Sequence, residues 1–464
     1  MYGLSDVIAA ISTPPGKGGV AVIRVSGEGA FSVIERVFRP VSGRKISDYR
    51  PRTAIYGNII SEGETVDDGL VSLFPAPNSY TGEDTAEISC HGGILVTRTV
   101  LEAIFRAGAR PAEAGEFTRR AALSGKITLT EAEQIATLLE ARSREEIRLS
   151  SMPARERLLE KIGEIRSDTV ALMSSMYARI DYPDEDLGDF DDGELLTRLY
   201  NIKDKIAKLL ATYRTGRAIT EGISTVICGK PNVGKSTLYN LLVGEDAAIV
   251  TDIPGTTRDL LERTTPLGRI LLRLCDTAGI REGNGIDTVE RLGIERSREK
   301  MEKCELLFAI FDVSEEKDEE DERLLDRISK LSAAKIAILN KCELERKFDS
   351  KLLSNRFDAV VEISAKSDEE GTVLALSKIV DSLFTDEKIK TGEDAVLSSA
   401  RQHATLTKAA DFISLAIESL RLGFSQDAIS SDVERALGAI SELDGREVSE
   451  EVVSDIFSKF CVGK

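Results

Sequence analysis

The chain has 464 residues, 42% hydrophobic and 30% charged, the balance of a globular protein with room for about three domains. Lysine and arginine number 61 against 79 acidic residues, a net charge of −18, which excludes nucleic-acid binding by broad counterion release; any RNA contact is local, transient or shared with a basic partner. No apolar run approaches the length of a membrane span and no signal peptide opens the chain, so a cytoplasmic protein is expected. The six cysteines, Cys90, Cys228, Cys275, Cys304, Cys342 and Cys461, are scattered without metal-ligand spacing. They read as buried free thiols rather than a disulfide framework.

Residues 1–122 read as strands and loops plus helices. Residues 20–25 and 70–74 are strand runs, and beside them lie two clusters rich in glycine and proline, 14–19 and 75–82. Loops set against strands are where binding residues concentrate, although plain turn chemistry is the simpler reading. From Thr128 the hydrophobic period becomes helical. Thr130-Glu131-Ala132-Glu133 reads as a capping box with Thr130 at the N-cap, and Ile135, Leu138 and Leu139 continue at helical spacing. Helix-favouring residues run past Leu159, with a break or kink expected at Pro153. The sequence Asp181-Tyr182-Pro183-Asp184 interrupts again, and helix resumes near Glu194 and runs to about Tyr213.

The segment 216–383 alternates strand and helix patterns, as a doubly wound α/β domain requires. Gly229-Lys230-Pro231-Asn232-Val233-Gly234-Lys235-Ser236 follows an apolar strand, 225–228, and precedes a helix opened by Thr237. This is a P-loop: backbone N–H groups surround α- and β-phosphates, Lys235 reaches the β/γ oxygens, and the Ser236 hydroxyl binds Mg²⁺. Thr256-Thr257-Arg258-Asp259 stands where a first switch belongs, with one threonine hydroxyl on Mg²⁺. Asp276-Thr277-Ala278-Gly279 ends the apolar run 270–275; the acid suits a Mg²⁺ ligand and Gly279 a γ-phosphate contact. Asn340-Lys341-Cys342-Glu343 follows a strand at 335–339 and is similar to the Asn-Lys-x-Asp signature that reads guanine, with Glu343 in place of aspartate. Ser364-Ala365-Lys366 follows a strand at 359–363 and resembles the loop that backs the base. The acidic run 315–322 reads as a solvated helix start complementing the helix dipole.

Helical spacing returns after this segment, with Leu406, Ile413, Ile417 and Leu420 on one face. The expected architecture is α/β and α+β multidomain: an N-terminal domain at 1–122 and one helical domain built from 123–215 and 384–464. The nucleotide domain, 216–383, is inserted within the helical one.

Three further features carry a resemblance. They are the terminus Cys461-Val462-Gly463-Lys464, the segment Thr13-Pro14-Pro15-Gly16-Lys17-Gly18-Gly19, and the motifs Ser79-Tyr80-Thr81-Gly82-Glu83-Asp84, His91-Gly92-Gly93 and Gly115-Glu116-Phe117. With the inserted P-loop domain they resemble, over essentially the whole chain, the tRNA modification GTPases MnmE (TrmE). The resemblance implies a homodimer joined through N-terminal domains. It implies a FAD-containing partner enzyme, MnmG (GidA), and tRNA as substrate. The wobble uridine would gain an aminomethyl or carboxymethylaminomethyl group at C5. A tetrahydrofolate derivative would supply the one-carbon unit, held by Arg24, Glu87 and Lys126 with Lys464 nearby. Read without the family, Arg24 and Lys126 are ordinary surface positions.

The resemblance also implies K⁺-activated hydrolysis when two nucleotide domains meet, with Asn232 and the carbonyls of Thr251, Ile253 and Thr256 as ligands; oxygen donors suit a hard cation. Ile280 stands where many GTPases carry a catalytic glutamine, and the family match transfers that task to Glu290. Arg258 and Arg281 lie in the switches and read either as helpers or as surface charges. Cys461 reads either as a catalytic thiol or as a structural group. Two other functions compete: a regulatory GTPase switch in ribosome assembly, and a folate-binding protein with a vestigial nucleotide site. The acidic chain with no basic RNA-binding module argues against the first, and intact Lys235, Ser236 and Asp276 against the second.

Overall fold

Residues 20–25 alternate less buried with fully buried side chains, and residues 306–312 are buried throughout. That difference separates an antiparallel sheet covered on one face from a parallel sheet covered on both. The computed structural model describes residues 6–181, 191–244, 262–275, 300–350, 353, 355–443 and 463. They divide into two compact units, Met1–Ala136 with Ser431–Lys464, and Thr137–Ser430.

In the first unit, β1 (Ile8–Ile11), β2 (Val20–Ser26), β3 (Phe38–Pro40), β4 (Ile55–Ser61), β5 (Glu64–Phe74), β6 (Thr85–His91) and β7 (Arg110–Pro111) form a sheet of order β3-β4-β5-β6-β2-β1-β7. All neighbours are antiparallel except β1 and β7. Helices α1 (Ala30–Val37) and α2 (Ile94–Arg106) bury Ile34, Val37, Val100 and Ile104 in one cluster with Ile23, Val25 and Ile88 of the strands. Each fully buried isoleucine contributes roughly 2 kcal/mol of apolar burial.

An ionic knot fastens α3 (Glu116–Leu123) to the loop before β6. The Arg120 side chain, 2% exposed, pairs with Asp6 at 2.8 Å, Glu116 at 3.0 Å and Glu83 at 3.1 Å. Arg110 pairs with Asp6 and Glu116, each at 2.6 Å. The Ser26 hydroxyl donates to Glu83 at 2.9 Å. Burial favours the neutral Glu116 carboxyl, but bonds from Arg110, the Glu113 N–H and Arg120 overcome it and pull its pKa down to about 2.

In the second unit, α5 (Arg144–Leu149), α6 (Met152–Asp181), α7 (Asp192–Ala211) and α8 (Tyr213–Thr220) precede a six-stranded sheet. Its strands are β8 (Ile223–Gly229), β9 (Glu262–Leu267), β10 (Ile270–Cys275), β11 (Leu306–Asp312), β12 (Ala334–Asn340) and β13 (Ala359–Glu362), in the order β13-β12-β11-β8-β10-β9. Only the β9–β10 pair is antiparallel. Helices α9 (Lys235–Val243), α10 (Glu319–Ile328) and α11 (Glu369–Phe384) lie along this segment, and α12 (Ala400–Arg421) follows it.

The chain enters and leaves the sheet segment at one place. Gly216 of α8 abuts the Leu397 backbone so closely that a Cβ would sit 1.9 Å from the carbonyl oxygen. The Leu397 N–H donates to the Thr212 hydroxyl at 3.0 Å, and the Thr220 hydroxyl to the Ser398 carbonyl at 3.2 Å. Helices α7 and α12, from either side of the sheet in sequence, pack against each other. The nucleotide-type domain is thus inserted in the helical one.

Four local expectations are corrected. The helix α4 (Leu129–Leu139) is capped by Thr128, not Thr130: the Glu131 N–H donates to the Thr128 hydroxyl at 3.1 Å, and the Thr128 N–H to the Glu131 carboxylate at 2.7 Å. Thr130 is buried and donates to the Leu443 carbonyl at 2.8 Å. Pro153 lies in the first turn of α6, where it needs no N–H partner, so the interruption falls before it. Cys342 is exposed, whereas Cys90, Cys275 and Cys304 are buried. The acidic run is a helix start, with Asp318 capping α10, but Asp321 within it is buried.

The knot makes stability pH-dependent. Because the folded pKa of Glu116 lies below its ordinary 4.5, its contribution is present above that value and lost as pH falls toward about 2. Glu116→Gln is expected to cost about 3 kcal/mol at neutral pH. Urea unfolding followed by circular dichroism should show the gap between variant and wild type closing between pH 4.5 and about 2; a gap that stays constant would overturn the assignment.

Candidate functional site

Parallel strands leave a crevice at their carboxyl ends, and β8, β11 and β12 all end in loops there. Gly229 leaves β8 at φ 154°, and a Cβ there would lie 2.6 Å from the Ile310 carbonyl. Asn232 is left-handed at φ 61° although not glycine, and Gly234 at φ 107° precedes the first turn of α9. This wraps the loop so that the free N–H groups of Lys235, Ser236 and Thr237 lie at a helix start suited to an anion. The Lys235 ammonium donates to the carbonyls of Gly229 at 3.0 Å and Lys230 at 2.5 Å. Burial lowers its pKa from the ordinary lysine value, so an anionic ligand would favour its charged form. Ser236 and Thr237 are exposed, as is Asn232, while Val233 is buried.

Lys230 is tied outward. Its ammonium lies 2.9 Å from both Asp318 and Asp321 at the start of α10. Burial would lower its pKa, but these bonds raise it instead; the bond from Lys230 pulls Asp318 down to about 2.

The Asn340 side chain joins the P-loop to the loop after β13. The buried Asn340 amide donates to the Val233 carbonyl at 2.8 Å and accepts from the Ala365 N–H at 3.1 Å. Its nitrogen sits where a Cβ at position 234 would be, 2.2 Å away. Lys341 is left-handed at φ 66°, and its ammonium pairs with Asp312. Glu343 is exposed and hydrogen-bonds Ser364, which lowers its pKa. Ser364, Ala365 and Lys366 follow β13 beside this group. Thus Asn232, Val233, Gly234, Lys235, Ser236, Thr237, Asn340, Lys341, Glu343, Ser364, Ala365 and Lys366 stand along one sheet edge. Thr251, Ile253, Thr256, Thr257, Arg258, Asp276, Gly279, Ile280, Arg281 and Glu290 lie outside the described residues, as do Cys461 and Lys464.

In the first unit, Arg24 and Glu87 are register partners on β2 and β6, and the guanidinium donates twice to Glu87 Oε1, at 3.0 and 2.9 Å. Arg24 is not an ordinary surface residue: its side chain is 16% exposed and lies against the rings of Tyr80, 5.1 Å away, and Phe117, 5.7 Å away. Lys126 is exposed and donates to the Pro77 carbonyl at 2.9 Å. The Ser12 hydroxyl donates to the Gly463 carbonyl at 3.0 Å, bringing the end of the chain to β1. An arginine lying against two aromatic rings and held by a carboxylate can take a planar, acidic ligand. The sequence reading did not assign Tyr80, Phe117 or Asp312. An acid ending a buried strand was the available signal for Asp312, the same one that drew Asp276.

A parallel sheet with a P-loop lysine at one strand end and an Asn-Lys-x-Glu loop two strands away defines the class: a P-loop guanine-nucleotide hydrolase. Comparisons place it more closely. The family described as "GTP-binding protein TrmE N-terminus" matches residues 7–126, and "MnmE helical domain" matches residues 129–461. The tRNA modification GTPase MnmE of Thermotoga maritima is 40% identical over 464 residues, covering 99% of this chain and 100% of that protein. The one from Natranaerobius thermophilus is 39% identical over 461 residues, covering 99% of each. A crystal structure of Aquifex aeolicus Era bound to GDP.AlF4- is 22% identical at a TM-score of 0.27, covering 42% of this chain and 67% of that one. The chain belongs to the tRNA modification GTPase family MnmE. No helix among the described residues is long and apolar enough to cross a membrane.

Gly234→Ala is expected to abolish nucleotide binding, because a Cβ at φ 107° would strike the Asn340 amide. Titration with a fluorescent GDP analogue measures this; binding within twofold of wild type would contradict the geometry.

Proposed function

We propose that this chain is the GTP-hydrolysing, K⁺-activated component of a cytoplasmic tRNA modification system. It acts as a homodimer with a FAD-containing MnmG-type partner to place an aminomethyl or carboxymethylaminomethyl group at C5 of the wobble uridine. The observation that carries the reading is Asn340, whose one amide ties the phosphate loop to the loop behind the base. It does so in a chain that aligns end to end with MnmE.

Lys235 is poised to neutralise charge on the transferring phosphoryl, and the N–H groups at the start of α9 to hold the phosphates. Lys341 and Glu343 would address the base, with Ser364, Ala365 and Lys366 behind it. The Ser236 hydroxyl, exposed at the head of α9, fits a Mg²⁺ that would polarise the β- and γ-oxygens, joined by Thr257 and Asp276. The Asn232 amide, exposed on a left-handed turn, fits a K⁺ with the carbonyls of Thr251, Ile253 and Thr256. Glu290 would orient the attacking water. Thr251, Thr256 and Gly279 complete the nucleotide contacts.

In the N-terminal unit Arg24, Glu87 and Lys126, with Lys464, would hold a tetrahydrofolate derivative, the one-carbon donor. Glu87 fixes the guanidinium and the Tyr80 and Phe117 rings pack against it, so its ordering cost is met before a carboxylate tail arrives. Cys461 would serve as a catalytic thiol, with a structural role as the alternative.

GTP hydrolysis in KCl and in NaCl at equal ionic strength tests the nucleotide reading. Potassium should stimulate it strongly, and the stimulation should vanish in Asn232→Ala and in Glu290→Ala. Equal rates in the two salts would remove the K⁺ assignment. For the folate reading, Arg24→Ala should weaken 5-formyltetrahydrofolate binding by at least about tenfold, measured calorimetrically; unchanged affinity would refute that site.

A further inference from the structure

The carboxyl end of β11 carries a charge that the nucleotide motifs do not include. Asp312 is the last residue of the strand, and its side chain is 3% exposed. Its Oδ1 accepts from the Ser314 N–H at 2.9 Å and the Ser314 hydroxyl at 2.6 Å, and its Oδ2 pairs with the Lys341 ammonium. It is the register partner of Asn340, so the β11–β12 pairing brings it to the lysine. A buried carboxylate needs such partners, and here the cation comes from the base-side motif.

We propose that Asp312 is a positioning residue for guanine-nucleotide binding: it holds the Lys341 ammonium so that the lysine stem forms a fixed rail for the purine ring. Both ends of that side chain are constrained. The backbone of Lys341 is left-handed at φ 66°, and Asp312 takes the ammonium. The methylenes between therefore run from the loop toward β11, along the edge that also carries the P-loop. Lysine has four flexible side-chain torsions, and fixing them before binding removes an ordering cost. Burial alone would keep Asp312 neutral, but the bonds from Lys341 and Ser314 lower its pKa, so the carboxylate stays charged and the hold persists at neutral pH. The proposal rests on reading this edge as the guanine-nucleotide site.

Affinities for a fluorescent GDP analogue, and KM and kcat for GTP, would be measured on the full chain as wild type, Asp312→Asn, Lys341→Met and the double variant. Asp312→Asn should weaken GDP binding and raise KM by roughly tenfold while kcat at saturation holds. In the Lys341→Met background it should add nothing. If Asp312→Asn does not fold, Ser314→Ala carries the test, with a smaller loss in the same direction that Lys341→Met also erases. Wild-type affinity in Asp312→Asn, or losses that multiply in the double variant, would overturn the role of Asp312. Failure of the wild type to bind the analogue would instead overturn the nucleotide reading.

Discussion

The candidate nucleotide site depends on one amide. Asn340 ends β12, and its side chain bonds to the P-loop on one side and to the loop after β13 on the other. Because the amide is buried, neither bond can be exchanged for water without loss. The P-loop must in turn leave space for that amide, which accounts for a glycine at 234 beyond its positive φ. The P-loop and the loop after β13 are held in register by the two ends of this one amide.

The fold that presents this edge is an excursion from a helical scaffold. Burial on both faces requires the continuous apolar strands seen at 306–312, and helices at either side supply the cover. Charged side chains then anchor the loops. Lys230 reaches the acidic start of α10, Lys341 reaches Asp312, and Arg217 pairs with Glu305, whose carboxylate also accepts the Ser224 N–H at the start of β8. The N-terminal unit uses the same device, with the Arg110 and Arg120 knot fixing the two motifs that carry Tyr80 and Phe117.

What could be read from the sequence was local. The P-loop, the strand runs around it and the return of helical period are patterns within a few residues, and the described structure has them where the pattern put them. What escaped depends on distant partners. Thr128 and Thr130 each have a glutamate three residues on, so the capping pattern fits both; a bond from Thr130 to Leu443 is among the contacts that separate them. Arg24 looked like surface because its neighbour across the sheet, Glu87, is 63 residues away. The acidic run looked purely solvated because its cation, Lys230, sits in another motif 88 residues back.

The clamp between residues 212–220 and 397–398 has a mechanical meaning. Gly216 meets the Leu397 backbone with no room for a side chain, and further ties from Arg142 to Thr264 and from Arg269 to Ile389 and Thr391 brace the sheet segment beside that seam. A side chain added at 216 would have to part the two chain crossings, loosening the tether by which the inserted sheet hangs from the packed pair α7 and α12.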